Sequence, residues 1–480
     1  MCGGAIHGRG TSRGSPTAPS SPGPGGDDKS HCRRAQEDPE ESVLLDYKEL
    51  GTVGLNARPS LSSSRRQRTN ARLVIQLARL EGYSVRPVAG GHSPSDLPCT
   101  TGFMIRMDKL DKLLEVNRQQ QHVVVQGGMI LSTLHSHLDA HGLAMSNVGS
   151  ISDQSISGNR LYMLLADGSR VHCSRSENTD LFLATLCGLG ATGIILRVTL
   201  QAERAFRLKE THEAMHIDKA IGQLETVFTE AEHTRMWWYP QTNRVRVDRA
   251  NRCYEPAQPR FRVNWFYDVV LGYHLTLLLL FFGRFIPAFN YYATFLHSSE
   301  TMLAPATTTD KSYKVFNLDC LIPHHTTEWC VPFSEARATL LEIKEWLDQE
   351  DASPHRLGPD FPIEIRVSKE DDIWLSPAYG QISCWIGIVR YKPYGFSVPY
   401  KPLFKRFEQI LQNHAGRPHW AKMHDFTPDA LRKQYPKFDD YLRVLNAVDP
   451  HGLFRNEYVR RHIFGETGPH ADKELFLMDT

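Results

Sequence analysis

The order of the predicted elements constrains the fold of this chain more than any other sequence feature. From Ala71, short apolar strands alternate with helices up to about residue 202, and longer strands interspersed with helices follow to about residue 465. This order predicts an α+β protein in which a cofactor-binding α/β domain precedes a sheet with helices that caps it. A chain of 480 residues is long enough for two or three such domains.

The predicted boundaries divide the chain into four parts. Residues 1–70 are expected to be disordered or irregular, because a segment rich in Gly, Pro, Ser and charge buries too little apolar surface to offset its ordering entropy. This segment has no apolar core of a secretory signal. Residues 71–202 form the first domain, residues 203–465 the second, and residues 466–480 a tail.

Local patterns predict individual elements within these domains. In ARLVIQLARLEGY, apolar residues recur at helical spacing at Leu73, Val74, Leu77 and Leu80, and Gly82 ends the helix. Two apolar runs around Asp167-Gly168 predict a β-hairpin, because this pair tolerates the positive φ of a tight turn.

Charge and cysteine content exclude several classes of protein. The 55 Lys and Arg residues balance 54 Asp and Glu residues, so the basic excess of a nucleic-acid-binding protein is absent. Nine cysteines lie scattered without CxxC pairs, which argues against a zinc site or a disulfide scaffold and favours a reducing compartment.

The densest local signal is RPVAGGHSPSD, residues 86–96. Paired glycines after a strand let backbone N–H groups approach a phosphate closely, and His92 follows them directly. A plain Gly-Gly turn with a surface histidine explains the peptide equally well. The Gly- and Ser-rich stretch NVGSISDQSISG, residues 147–158, has the same two interpretations, anion-binding backbone or a simple polar loop.

The strand FPIEIRVSK carries a carboxylate and a guanidinium. Alternation along a strand directs Glu364 and Arg366 to the same face, where such a pair can hold a hydroxyl and stabilise developing negative charge. The alternative is an ordinary surface ion pair.

The segment RPHWAKMH, residues 417–424, crowds charge and aromatic side chains into eight positions. His419 and His424 suggest a metal, but no third ligand with regular spacing accompanies them. Lys422 held near a cofactor or substrate is the sharper interpretation, and a basic loop is the alternative.

Together these clusters resemble one family, the aldonolactone oxidases among the vanillyl-alcohol-oxidase type FAD flavoproteins. The resemblance runs from about Ala71 to about Gly465 and includes GGHSPSD, NVGSISDQSISG, LGATGIILRVTL, DCLIPHHTTEW, the EIR strand, HWAK and DPHGLFRNEY. It implies a PCMH-type FAD-binding domain of two α/β subdomains, followed by a sugar-lactone oxidase cap domain.

The resemblance also implies roles for individual residues. His92 matches the histidine that is bonded covalently to FAD. Glu364, Arg366 and Lys422 match catalytic residues on the substrate side of the flavin. The residues that match cofactor-binding positions are Gly90, Gly91, His92, Ser93, Ser95, Asp96, Gly149, Ser150, Ser155, Gly193 and Ile194.

The implied reaction is oxidation of D-arabinono-1,4-lactone, or a related aldonolactone, by O2. Hydride would leave the carbinol carbon C2 for the flavin, and hydrogen peroxide would form on reoxidation. Arg366 and Lys422 would stabilise the oxygen as it becomes a carbonyl, and Glu364 would orient it. An alditol or other aldonolactone oxidase, and an inactive remnant without flavin, are the rival predictions.

Two departures from the family pattern fall in the predicted FAD domain. After Gly158 the family continues through a Thr-His-Gly-Ser stretch and a further strand, which are missing here. The strand that precedes the first helix in the family is replaced by the low-complexity SLSSSRRQRTN. The first loss predicts weak FAD binding and a neighbouring strand with unpaired backbone groups.

The apolar stretch from Val269 to Ile286 is the remaining feature of note. It carries His274, Thr276 and Arg284, so a full transmembrane helix is not expected. A helix that is buried in the cap or lies on a membrane surface is predicted instead. The resemblance implies attachment to a mitochondrial membrane.

Overall fold

The computed structural model describes residues 42–47, 65–91, 93–148, 158–258, 272–299, 305–317, 322–353 and 358–466. Over residues 42–47 and 65–69 it describes the backbone alone. His92, Gly149, Ser150 and Ser155 therefore lie outside the described residues, and so does most of the predicted tail.

The first subdomain is a four-stranded sheet covered by one helix. Strand β1 runs antiparallel to β2 and β4, β3 runs parallel to β4, and the strand order is β2-β1-β4-β3. Its elements are β1 (Ser42–Tyr47), β2 (Arg65–Asn70), α1 (Ala71–Glu81), β3 (Val85–Val88) and β4 (Phe103–Arg106).

Strands β1 and β2 correct two predictions. Both lie in the segment predicted to be disordered or irregular, and β2 occupies the place before the first helix where a strand was expected to be missing. All six residues of β1 pair with β2, and three of them also pair with β4. Backbone pairing of this kind does not depend on apolar side chains, so composition alone did not reveal it.

Helix α1 forms where it was predicted, but of the four apolar residues that indicated it only Val74 is buried. Asn70 caps its N-terminus, and Gly82 ends it with a φ of 74°. The buried residues are Ala71, Val74, Ile75 and Ala78, whereas Leu80 is 85% exposed and Leu73 and Leu77 are also exposed. The small and β-branched residues face the sheet because they let the helix approach it closely.

The second subdomain is a five-stranded antiparallel sheet in the order β5-β6-β10-β8-β9. Strands β8 and β9 form the predicted hairpin, with Gly168 at a φ of 83° in its turn. The elements are β5 (Leu113–Asn117), β6 (His122–Gln126), α2 (Leu131–Ala140), β7 (Leu143–Ala144), β8 (Arg160–Leu164), β9 (Arg170–Ser174), α3 (Thr179–Leu186) and β10 (Ile194–Gln201).

The segment after Gly158 leads directly into this sheet. Strand β8 pairs with β10 on one side and with β9 on the other, and the Asn159 N–H donates to the Thr199 carbonyl at 2.8 Å. The prediction that the missing segment leaves a neighbouring strand unpaired is therefore wrong for the described strands. The sheet is continuous because β8 and β10 are direct neighbours.

The cap domain is built on an eight-stranded antiparallel sheet in the order β15-β12-β14-β13-β17-β18-β16-β19. The short strand β11 pairs instead with β7. The elements are β11 (Glu203–Arg204), β12 (Arg207–His216), α4 (Ile217–Gly222), α5 (Leu224–Thr229), β13 (His233–Tyr239), β14 (Arg244–Cys253), α6 (Thr276–Gly283), α7 (Ala288–His297), β15 (Ala306–Lys311), α8 (Ser312–Phe316), β16 (His324–Pro332), α9 (Phe333–Ala352), β17 (Asp360–Ser368), β18 (Ser383–Tyr391), α10 (Lys401–Asn413), β19 (Arg417–Pro418), α11 (Pro428–Gln434), α12 (Phe438–Val448) and α13 (Glu457–Val459).

The two faces of the cap sheet differ in polarity. Alternate residues of β13, β17 and β18, such as Trp238, Ile365 and Ile386, are buried in one apolar core with residues of α4, α9 and α10. The opposite face carries charged side chains. Antiparallel sheets commonly pack one face on a core and leave the other polar, and here the polar face is free to line a site.

The C-terminal segment returns to the first subdomain. Leu453 and Phe454 join its core, and the Leu453 carbonyl accepts from the Val85 N–H at 2.7 Å. The Asn456 side chain donates to the carbonyls of Leu97 and Cys99 at 2.9 and 2.8 Å. The end of the chain therefore holds the loop that follows β3.

Candidate active site

The polar face of the cap sheet places an ion pair at its centre. Nη2 and Nε of Arg366 donate to Oε1 of Glu328 at 2.6 and 3.2 Å. The Trp385 ring lies under the guanidinium, with its centroid 5.2 Å from Cζ. Arg366 and Glu364 do share a face, but the partner of the arginine is Glu328.

Strand register explains this arrangement. Arg366 lies opposite Trp385, and Gly387 lies opposite both Glu364 on β17 and Glu328 on β16. Residues directly opposite each other in antiparallel strands project to the same face. The two carboxylates therefore flank one glycine, and the arginine reaches across to the more distant carboxylate.

The pKa values of Glu328 and Glu364 are shifted in opposite directions. Burial alone would raise the pKa of Glu328, but its electrostatic interactions, above all with Arg366 and then with His419 and Lys422, outweigh burial and lower this pKa to about 2. Burial raises the pKa of Glu364, and the neighbouring Glu328 adds to the rise. Oε1 of Glu364 is buried and has no hydrogen-bond partner among the described residues. Glu364 thus holds a proton more readily than Glu328 does.

The HWAK turn lies against β16. The His419 N–H donates to the Glu328 carbonyl at 3.0 Å, and the Lys422 N–H donates to the His419 carbonyl at 2.8 Å. Nδ1 of His419 accepts from the Ala421 N–H at 3.2 Å, and burial lowers the pKa of this ring. The turn therefore places His419 and Lys422 beside the ion pair of Arg366 and Glu328.

A cavity of about 760 Å³ opens on this face. Arg366, Ser368 and Trp385 line it from the cap sheet, and Asn147 and Val148 line it from the first domain. Its volume is in the range of small-molecule sites. Asn147 and Val148 directly precede Gly149, so the cavity reaches the start of the predicted cofactor loop.

The loop after β3 meets the HWAK turn. The Ser95 N–H donates to the Ala421 carbonyl at 3.2 Å, which brings two sequence clusters together. Both oxygens of Asp96 accept from Arg461, at 2.9 and 2.8 Å. The carboxylate of Asp96, a predicted cofactor-binding residue, thus holds this loop to the C-terminal segment.

Glycine turns on both subdomains fit a bound cofactor. Gly91, Gly190 and Gly193 have φ values of 70°, 68° and 140°. A Cβ atom at Gly193 would lie 2.8 Å from the Leu164 carbonyl oxygen, so only glycine fits there. Ile194 is fully buried in the core of the first subdomain, so its backbone is the part that could face a ligand.

Comparison with known families identifies the chain. A sequence model described as FAD binding domain matches residues 67–187. A second, described as D-arabinono-1,4-lactone oxidase, matches residues 198–462, more than half of the chain. The chain belongs to the D-arabinono-1,4-lactone oxidase family. It is a flavin-dependent oxidoreductase, as the sequence clusters predicted.

Relatives of this family align over most of the chain. L-gulonolactone oxidase of Scyliorhinus torazame is 33% identical over 413 residues, which cover 82% of this chain and 92% of the relative. A putative D-arabinono-1,4-lactone oxidase of Neurospora crassa is 30% identical over 456 residues, which cover 81% of each chain.

Solved structures share the fold. Cholesterol oxidase from Brevibacterium sterolicum superposes with a TM-score of 0.63 at 16% identity, over 81% of this chain and 92% of the other. Xylooligosaccharide oxidase from Myceliophthora thermophila gives 0.58 at 13% identity, over 81% and 88%. The predicted α+β architecture, a PCMH-type FAD-binding domain with a cap, is confirmed.

Sequence reasoning missed part of this family's site. Glu328 and Trp385 were not singled out, although Glu328 stands within the quoted string DCLIPHHTTEW. An acidic residue next to the apolar run WCV was a usable signal, because a carboxylate on a largely buried strand requires a partner. His419 had been weighed only as a metal ligand.

Proposed function

We propose that this enzyme oxidises D-arabinono-1,4-lactone to the corresponding dehydro-lactone and passes the electrons to O2, forming hydrogen peroxide. The observation that carries the proposal is the charged cluster of Glu328, Glu364, Arg366 and Lys422, of which Arg366 lines the cavity, in a chain of this family. The cluster balances two carboxyl groups with two cations, which suits recognition of a neutral polyhydroxylated lactone.

Each side chain of the cluster has a role in the proposed reaction that follows from its charge. FAD supplies a two-electron acceptor that O2 can reoxidise. Arg366 and Lys422 stabilise negative charge on the lactone oxygen as it becomes a carbonyl. Glu364 accepts the hydroxyl hydrogen bond through its unpartnered Oε1 and orients the carbinol carbon. Trp385 supports the Arg366 guanidinium and excludes water from beneath it.

L-gulono-1,4-lactone is the second candidate substrate. The L-gulonolactone oxidases of shark, mouse and cattle are 33–34% identical to this chain, whereas the D-arabinono-1,4-lactone oxidases are 26–30% identical. Both lactones place a carbinol carbon next to the ring carbonyl, so the same charged cluster serves either. The two lactones differ in their side chain, which the rest of the cavity must distinguish.

The function is tested by oxygen uptake with D-arabinono-1,4-lactone, L-gulono-1,4-lactone and xylitol, on the chain as given and on a chain with a Thr-His-Gly-Ser-containing segment inserted between Gly158 and Leu161. Removal of one preorganised cation typically lowers turnover about 100- to 1000-fold, so we expect this loss for Lys422→Met. Lys405→Met, at an exposed position of α10, is the matched control and is expected to retain full turnover. Near-normal turnover by Lys422→Met would remove this residue from the mechanism, and oxidation of xylitol alone would favour an alditol oxidase.

Two further parts of the proposal concern attachment. FAD is bonded covalently to His92, which follows the Gly90-Gly91 turn. The enzyme also contacts a membrane surface, at the mitochondrion, through the helical hairpin of α6 and α7. No helix among the described residues is long and apolar enough to cross a membrane. The hairpin is therefore proposed to lie on the membrane surface.

The exposed side chains of this hairpin support such contact. Leu277 and Leu280 of α6 are buried, whereas Phe282, Phe285 and Ile286 are exposed on the other side. The exposed aromatic residues that continue this surface are Tyr291, Tyr292, Phe295, Tyr394 and Phe396. A patch this apolar on a folded protein marks an interaction site, and Phe with Tyr suits the interface between lipid and water.

A further inference from the structure

Arg86 is a buried cation whose charge the described residues leave without a partner. It lies on β3, six residues before His92, and is 3% exposed. Its Nε and Nη1 atoms are buried and have no hydrogen-bond acceptor among the described residues. An isolated buried charge is costly, and buried polar atoms in folded proteins are nearly always hydrogen-bonded. Such atoms indicate a missing anionic group.

The neighbouring carboxylate does not fill this role. Asp96 is the acidic residue that acts on Arg86, but both of its oxygens accept from Arg461. Burial is the main cause that lowers the pKa of Arg86 to about 10, and no nearby charge restores it. Tyr441 also lies close, and its hydroxyl donates to the Gly188 carbonyl at 3.0 Å.

The guanidinium lies at the junction of the two subdomains, against the Gly190 turn. Val85 is buried in the core of the first sheet, so alternation directs Arg86 to the opposite face. There it packs against the turn of the second subdomain. A Cβ atom at Gly190 would lie 2.9 Å from Nη1 and 3.0 Å from Cζ of Arg86. Gly190, at a φ of 68°, therefore leaves just enough space for the guanidinium.

We propose that Arg86 binds the diphosphate of FAD at this junction of the two subdomains, and that its side-chain charge adds to the backbone N–H groups of the Gly90-Gly91 turn. The planar fork of a guanidinium matches two phosphate oxygens, and strand β3 leads directly into that turn. Glycine turns alone offer partial charges, whereas Arg86 supplies a full charge that is already positioned and desolvated. The proposal rests on FAD binding and does not require lactone turnover.

The test separates the diphosphate from the flavin ring. Apoprotein is titrated by calorimetry with ADP, which carries the diphosphate alone, with riboflavin, which carries the ring alone, and with adenosine. Charge-assisted hydrogen bonds of this kind contribute about 10- to 100-fold in affinity. We expect Arg86→Met to weaken ADP binding by that factor and to leave riboflavin and adenosine binding unchanged. Arg118→Met, at an exposed position, is the control.

Each other outcome overturns the proposal. Weaker riboflavin binding with unchanged ADP binding would place the charge at the ring, and no change in either would leave Arg86 a structural residue. If Arg86→Met lacks the circular dichroism of the folded chain, the same titrations are made with Arg86→Lys, for which a smaller loss of ADP binding is expected.

All titrations are repeated on a chain with the segment after Gly158 restored. Absence of ADP binding in both unsubstituted chains also refutes the proposal. Failure of lactone oxidation with normal ADP titrations refutes the proposed function alone.

Discussion

At the scale of single residues, Glu328 determines how the charged cluster behaves. Its carboxylate holds Arg366 in place and stays ionised, whereas Glu364 on the neighbouring strand is pushed towards the protonated form. Two acids with separated pKa values are a common feature of active sites, because each can then take a different role. Glu328 contacts Arg366, to which we assign a catalytic role in the proposed function, so we regard Glu328 as a positioning residue.

We expect Glu328→Gln to shift the pH dependence of kcat/KM. The negative charge of Glu328 adds to the rise in the pKa of Glu364, so its removal lowers that pKa. The acidic limb that reports Glu364 should therefore move to lower pH, while glutamine retains an acceptor for Arg366. Glu345→Gln, at an exposed position of α9, is the control. A Glu328→Gln profile that superposes on that of the unsubstituted enzyme would contradict the coupling.

At the scale of elements, the helical hairpin of α6 and α7 has apolar side chains on two sides, one buried against the cap and one exposed. Leu280 packs with Trp237 and Phe361 beneath the hairpin, whereas Phe285 is 69% exposed above it. The guanidinium of Arg284 lies 5.6 Å from the ring centroids of both Phe281 and Phe285. This stretch thus has one side that is buried and an opposite side that exposes apolar residues, and contact of the exposed side with a membrane stays a prediction.

We expect Phe282→Ser with Phe285→Ser to abolish co-sedimentation with phospholipid vesicles, because the pair removes two large apolar side chains from the proposed contact. The same double substitution should leave circular dichroism and melting temperature nearly unchanged, since both side chains are exposed. Leu80→Ser removes an exposed apolar residue from α1 instead and should sediment normally. Equal sedimentation of all three proteins would show that the hairpin does not bind lipid.

At the scale of the whole molecule, we expect the segment missing after Gly158 to affect FAD binding more than folding. The sheet is continuous without this segment, because β8 pairs on both sides. A continuous sheet does not replace a phosphate-binding loop, since the backbone N–H groups of such a loop lie at fixed positions and cannot be supplied from elsewhere. Stability and cofactor binding are therefore separate consequences of the departure.

We expect the chain as given to fold but to bind FAD weakly, and a chain with a Thr-His-Gly-Ser-containing segment inserted between Gly158 and Leu161 to bind it fully. The measurement is the visible spectrum before and after acid precipitation, together with oxygen uptake. In the restored chain the flavin should remain with the precipitated protein, and His92→Ala should release it. Full loading of the unrestored chain would show that the FAD-binding domain tolerates the missing segment.

The sequence by itself determined the order of elements, the hairpin at Asp167-Gly168, the ends of α1 and the family, because these follow from local periodicity, turn chemistry and short motifs. Only the tertiary structure decided which face of α1 is buried, that β1 and β2 complete the first sheet, and that Arg366 pairs with Glu328 across 38 positions. Pairing between distant strands depends on register and on competing partners, and a single strand carries no record of either. For the same reason the sequence did not reveal that Asp96 pairs with Arg461, which lies at the other end of the chain.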